Sequence, residues 1–325
     1  MSVKANNIAQ GALMAALAAM LGLISLFIPI IGAVAAVLWS IPVILLAFRF
    51  DLRTASLSLV VALTLVGVTA GPVAGISLGL KSGLTALVFG YAFKKGLPPG
   101  VTLLAGGFTA AIGTALSLLI AFLIMGGTSL GFGEIETMVD QVLSFYEETG
   151  LIKLMLTQGL TITEFRAQLV QMMTLVAALI PGSLVLGSLF GAGITYLLAR
   201  EIFKRMGQTF KPLPSFQTWQ LPWWTVYGLI IGLALLLGGD YFGSGLFNTI
   251  GRNIIFIYLP ILLLNGLAVA VYFYHHWTIT PFIKVFLVIM FLINLPVIIP
   301  LVVLIGAFDP LFDYRKLKFI GKEGE

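Results

Sequence analysis

Apolar residues fall into long runs separated by short polar breaks, at about 8–29, 32–48, 54–70, 73–93, 101–126, 167–199, 223–239, 253–274 and 281–305. Each run approaches or exceeds the roughly 20 residues that carry a helix across a hydrocarbon layer about 30 Å thick. The pattern predicts an all-α protein, a polytopic transmembrane helical bundle of about eight to nine spans. Between the fifth and sixth runs the pattern changes. Ile135, Met138, Val139, Val142, Leu143 and Tyr146 recur at helical spacing among polar residues, which predicts an amphipathic helix lying on the membrane or capping the bundle. Thr161 and Glu164 have the spacing of a capping box, so the sixth helix is expected to start near Ile162 and to enter the membrane after Arg166.

Composition sharpens this picture. Hydrophobic residues make up 59% of the chain and charged residues 10%, where a soluble domain carries roughly 25% charge. The chain has no cysteine, which excludes disulfides, thiolate catalysis and cysteine metal sites. The net charge of +5 sits in short clusters between apolar runs, a distribution that suits membrane topology and not nucleic acid. Met1 to Gln10 lacks a basic segment followed by a small-residue cleavage site, so the first apolar run is expected to remain as a membrane helix.

The charges also suggest an orientation. Lys4, Arg49 with Arg53, Lys94 with Lys95, and Arg200, Lys204, Arg205 and Lys211 all fall on one side if the N-terminus is cytoplasmic. The opposite side receives Gly127 to Gln168, where six acids outnumber two bases. A bacterial plasma-membrane location, multi-pass, with the N-terminus inside, is the expectation. The same count fails at the end of the chain. Nine crossings put Arg315, Lys316, Lys318 and Lys322 outside, so either one run is re-entrant or the tail is external, its bases matched by Asp309, Asp313, Glu323 and Glu325. The domains expected are a six-helix bundle at 1–205 with an external amphipathic loop at 127–168, a cytoplasmic linker at 206–222, and C-terminal membrane helices with a polar tail at 223–325.

Small residues at a spacing of four let helix backbones approach closely. Gly71, Gly75, Gly79 and Gly83 form one such ladder and Ser183, Gly187, Gly191 and Thr195 another, and helix packing alone is the simpler reading of both. Lys81 is the ionisable residue well inside a span, about 12 Å from the helix start. Placing it there costs on the order of 2.5–3.5 kcal/mol, which calls for a partner, a wet cavity or an anionic ligand, unless the stem snorkels to the interface. Lys81, Gly79 and Gly83, with Arg166 at the mouth of the sixth helix, form the candidate ligand-binding set. Asn265 and Asn294 read as hydrogen-bonding glue between helices. Adjacent His275 and His276 point about 100° apart on a helix and have no His or Cys elsewhere to complete a metal site. No metal or other cofactor is expected. Pro29, Pro42, Pro181, Pro260, Pro296 and Pro300 kink or end helices, Pro181 with Gly182 being the strongest expected break. There is no phosphate-binding glycine loop, no intramembrane acid pair and no nucleophile with a base, so the chain is not expected to be an enzyme, an ATPase or a proton pump.

The segment Ala12 to Met20 (ALMAALAAM), the Pro29 turn and Gly75 to Gly96 resemble the substrate-binding S components of energy-coupling-factor transporters, whose six helices would correspond to residues 1–205. Gly306 to Leu317 (GAFDPLFDYRKL) and the chain length resemble the YybS-like family of bacterial membrane proteins. The first resemblance implies a membrane-embedded binder whose site faces outward, closed by Ile30 to Ala33, Ala70 to Val73 and Gly127 to Gln168. It also implies that the alanine face of the first helix, Ala12, Ala16 and Ala19, meets a transmembrane coupling subunit. The partners expected are the lipid bilayer, a small-molecule ligand, and that subunit or an envelope protein. The alternative is a membrane scaffold or regulatory subunit without transport activity.

Overall fold

The computed structural model describes residues 3–124, 135–151 and 161–317, and the chain divides into two units at Pro212/Leu213. Among the described residues, nine helical segments are long and apolar enough to cross a membrane. Large apolar side chains cover the outside, with Ile30, Val68 and Phe108 at 88%, 81% and 70% exposure. An outer surface of that kind needs lipid around it.

In the first unit the elements are α1 (Val3–Phe27), α2 (Pro29–Leu38), α3 (Ile41–Arg49), α4 (Leu52–Ala70), α5 (Pro72–Leu78), a π-helical turn (Gly79–Gly83), α6 (Leu84–Lys94), α7 (Pro99–Ile124), α8 (Ile135–Glu148) and α9 (Ile162–Arg205). Helices α2 and α3 form one span interrupted at Trp39 and Ser40, and α5, the π-turn and α6 form another. Pro29, Pro42 and Pro72 stand in the first turns of α2, α3 and α5, where a missing N–H costs nothing. The break expected at Pro181 does not occur. Helix α9 runs continuously through it, and the Ser183 hydroxyl two residues on donates to the Ile180 carbonyl at 2.8 Å. The irregular backbone is instead the π-turn, between two glycines.

Helix α1 packs on α2 and α4, α3 on α6, and α7 on α6 and α9. Phe48 stacks on Phe203 with ring centres 4.4 Å apart, and Phe93 meets Phe203 at 5.1 Å and Tyr196 at 5.2 Å. This cluster draws together the ends of α3, α6 and α9, and with them Arg49, Lys94 and Lys204. At the same end the Lys94 ammonium donates to the Phe50 carbonyl, and Asp51 caps α4 by accepting the Thr54 N–H at 2.6 Å. The Thr54 amide and hydroxyl, then Lys94 and Arg53, hold the Asp51 carboxyl below its usual pKa.

The opposite end of α9 lies about 62 Å along the helix from Phe203 at 1.5 Å per residue. It begins at Ile162 with the complete capping box, Thr161 and Glu164 each satisfying the other's backbone. Helix α8 packs there with Val139 fully buried, Tyr146 against Phe165 at 5.4 Å, and Asp140 accepting from Arg166 at 3.1 Å. The rest of the expected outer loop, 127–134 and 152–160, lies outside the described residues.

The second unit contains 3₁₀ turns at Phe216–Thr218 and Trp223–Thr225, then α10 (Val226–Phe242), α11 (Gly245–His276), α12 (Pro281–Ile293) and α13 (Leu295–Phe312). The single run expected at 281–305 is two helices. Pro296 opens α13, and Asn294 bonds the Met290 carbonyl of its own helix at 3.0 Å and not a neighbouring helix. Helix α11 is 32 residues long, about 48 Å, and it carries two antiparallel neighbours in succession. Helix α10 lies along its first half, where a Cβ on Gly251 would sit 2.6 Å from Leu236 N. Helix α13 lies along its second half, where Gly266 abuts the Val302 carbonyl and Gly306 the Leu262 carbonyl. Asn265 does bridge helices, donating to the Gly306 carbonyl at 2.8 Å.

A buried polar network sits where α13 ends beside the middle of α11. Arg315 donates to Asp309 at 2.6 Å, both side chains fully buried, and to the Gln217 carbonyl at 2.8 Å. Gln220 donates to Asp313 at 3.0 Å. Asp313 and Lys316 adopt left-handed backbone conformations, φ 46° and 51°, which turn the chain back onto Asp309 after the helix ends. The described end of the tail therefore lies against residues 217–220.

Candidate functional site

The π-turn places the site. Leu84 N–H donates to the Gly79 carbonyl, five residues back, so the turn holds one residue more than an α-helical turn and widens the backbone. On one side its glycines lie against α4. A Cβ on Gly79 would be 2.6 Å from Leu63 Cδ1, and one on Gly83 would be 3.1 Å from Leu59 Cδ1. On the other side the Leu80 carbonyl meets Gly113 of α7 so closely that any Cβ there would collide with it. Replacing Gly113 with Ala is expected to destabilise the unit by about 1–3 kcal/mol through overpacking against rigid backbone, measured as a lower melting temperature in detergent.

Lys81 and Ser82, at the crest of the turn, line a cavity of about 360 Å³. Its walls come from α2 (Ala36, Val37), α6 (Thr85), α7 (Ala110, Thr114) and α9, which supplies Ser183, Gly187, Ser188, Gly191 and Thr195. Six of these residues carry hydroxyls, and none carries a carboxylate. Among the described residues, the Lys81 ammonium has no ion-pair or hydrogen-bond partner, and the buried Thr114 hydroxyl has none either. No Cβ placed on Gly187 or Gly191 would meet an atom within 4 Å. The two glycine ladders thus do different work. The first packs against α4, while the second opens the wall of the cavity.

The residues expected to bind ligand are distributed accordingly. Lys81 lines the cavity, while Gly79 and Gly83 support its turn from the α4 side. Arg166 lies 17 residues before Ser183, about 26 Å along α9, paired with Asp140. On α1, Ala12 and Ala16 are exposed beside Leu13 and Leu17, whereas Ala19 is buried within the bundle. The hydroxyls of Thr85, Thr114 and Ser188 were not distinguished in the sequence, where single Ser and Thr residues in apolar helices carry no pattern. In the second unit, the Nδ1 atoms of His275 and His276 face the carbonyls of Val271 and Tyr272 on their own helix. No cluster of three or more metal-ligating side chains occurs among the described residues.

Apolar helices of spanning length, an apolar exterior and a polar cavity within the helix bundle define a polytopic α-helical membrane protein. The chain belongs to the DUF2232 family of predicted membrane proteins, whose model matches residues 16–310. It is 22% identical over 311 residues to "Uncharacterized protein YybS" of Bacillus subtilis (strain 168), covering 94% of this chain and 96% of that protein. No solved structure matches.

Proposed function

We propose that this chain is a membrane-embedded solute-binding protein of a transport system, with the cavity around Lys81 as its binding site. The observation that carries the proposal is an unpaired cation inside a span, facing space that two glycines leave open. A lysine there is stable only if something offsets its lost hydration, and a bound anion supplies that. A scaffold would instead gain from a packed interior, so the cavity supports binding over scaffolding.

The six-span first unit agrees with the resemblance to S components of energy-coupling-factor transporters. On that reading, Ala12 and Ala16 on the exposed face of α1 meet a coupling subunit, while Ala19 holds α1 in the bundle. The bundle sits in the bacterial plasma membrane with the basic end of α3, α6 and α9 in the cytoplasm. Cysteines introduced at Lys95 and Lys204 are then expected to resist a membrane-impermeant thiol reagent added to intact cells, while one at Glu147 reacts. Labelling of the first two, but not the third, would reverse the orientation.

Binding is tested by filling the cavity. Gly187→Leu puts a side chain into open space, so the protein should fold and melt like the ligand-free parent. Native mass spectrometry of the detergent-purified parent is expected to show a retained small molecule that Gly187→Leu lacks. A parent without any such adduct, or equal retention by both proteins, would contradict the proposal.

A further inference from the structure

The hydroxyls around the cavity differ in what they have left to offer, and the difference specifies a ligand. A serine or threonine hydroxyl has one proton and two lone pairs. Ser183 and Ser188 spend their protons within α9, donating to the Ile180 carbonyl at 2.8 Å and the Val185 carbonyl at 2.7 Å. Both therefore present only acceptor lone pairs. Across the cavity, Lys81 presents ammonium donors that no described residue accepts, and Thr114, 2% exposed, holds a hydroxyl proton without a partner. One wall asks for an anionic acceptor and the α9 wall asks for donors.

Other ligand classes fit less well. A simple carboxylate such as acetate satisfies Lys81 and Thr114 but leaves both serines facing an apolar group. A neutral sugar satisfies hydroxyls but leaves the lysine charge uncompensated. A cation meets Lys81 with no carboxylate in the lining to balance it. A volume of about 360 Å³ lies at the small end of ligand pockets.

Resting on the binding role proposed above, we infer that the cavity takes a small anion, a carboxylate or phosphate that also carries N–H or O–H donors. Its anionic end lies at Lys81 and Thr114, and its donor end at Ser183 and Ser188. A phosphatidylethanolamine headgroup, with its phosphate and ammonium N–H donors, carries the same chemistry as a free hydroxy or amino acid, and the test separates the two sources.

The test measures melting of the full-length protein in detergent with glycerate, L-serine, acetate, ethanolamine or glucose, and in nanodiscs with phosphatidylethanolamine or phosphatidylcholine. Glycerate or L-serine is expected to raise the melting temperature clearly more than acetate, with no rise from ethanolamine or glucose. Lys81→Met and, independently, Thr114→Val should weaken the apparent affinity, for Lys81→Met by roughly tenfold or more. A rise with phosphatidylethanolamine but with neither free acid sustains the chemistry and identifies the source as a headgroup. Stabilisation led by ethanolamine, glucose or acetate overturns the ligand class while leaving the binding role standing. No rise with any probe overturns the class as well. If native mass spectrometry of the parent also shows no adduct, the binding role falls with it.

Discussion

Arg315→Met is expected to cost the second unit about 3–5 kcal/mol, because it leaves the Asp309 carboxyl group buried without its charged partner. Asp309 and Arg315 are both fully buried, and Arg315 also holds the Gln217 carbonyl, so one substitution removes the contacts to Asp309, Gln217 and Asn265 together. The loss should appear as a large fall in melting temperature and as new protease cleavage between residues 213 and 317. The double variant Asp309→Leu/Arg315→Met should recover much of the loss, since replacing both partners removes the stranded charge. An Arg315→Met variant that melts like the parent would show that the network does not hold the unit together.

Lys81→Met carries the opposite expectation. Met fills similar volume without a charge to desolvate, so the melting temperature should equal or exceed that of the parent. Ligand affinity should fall by roughly 2 kcal/mol or more, the scale of a lost charge-assisted contact. Thermal melts with and without the retained molecule check both halves. Destabilisation by Lys81→Met would instead mean that a protein group relies on this cation. A variant that keeps the full ligand-induced shift would remove Lys81 from the site. The contrast with Arg315 is informative. Both cations lie among apolar helices, but one has a carboxylate and a carbonyl in place, and the other faces a cavity.

The features legible in the sequence were those with a local physical code. The capping box at Thr161 and Glu164 fixes the start of α9, because the two residues that satisfy each other are three apart. The amphipathic period from Ile135 to Tyr146 marks α8, and its residue with no exposure, Val139, belongs to the predicted stripe. Lys81 stood out because charge inside a span is costly anywhere. What stayed hidden depends on what lies across from a residue. The ladders at Gly75, Gly79 and Gly83 and at Gly187 and Gly191 look alike as spacing. Leu59 and Leu63 oppose the first, while open space lies beside the second. The π-turn leaves no trace in GLKSG that separates it from an α-helical turn. Asp309, Asp313 and Arg315 read as surface charge following a helix, since it is the left-handed turn at Asp313 that brings Arg315 back into the interior. The division of 281–305 did have a signal. Pro296 directly after Asn294 and Leu295 marks a helix start, but it was obscured by the continuous apolar run around it.

An electron-microscopy map of the purified full-length protein at side-chain resolution decides whether the Lys81 cavity is a built binding site. The expected map has an open cavity with density for a small molecule bridging Lys81 Nζ and Thr114 Oγ1 on one wall and Ser183 and Ser188 on the other. A map in which α9 packs onto α7 through Gly187 and Gly191, with the Lys81 ammonium paired to a carboxylate of the protein, would contradict it.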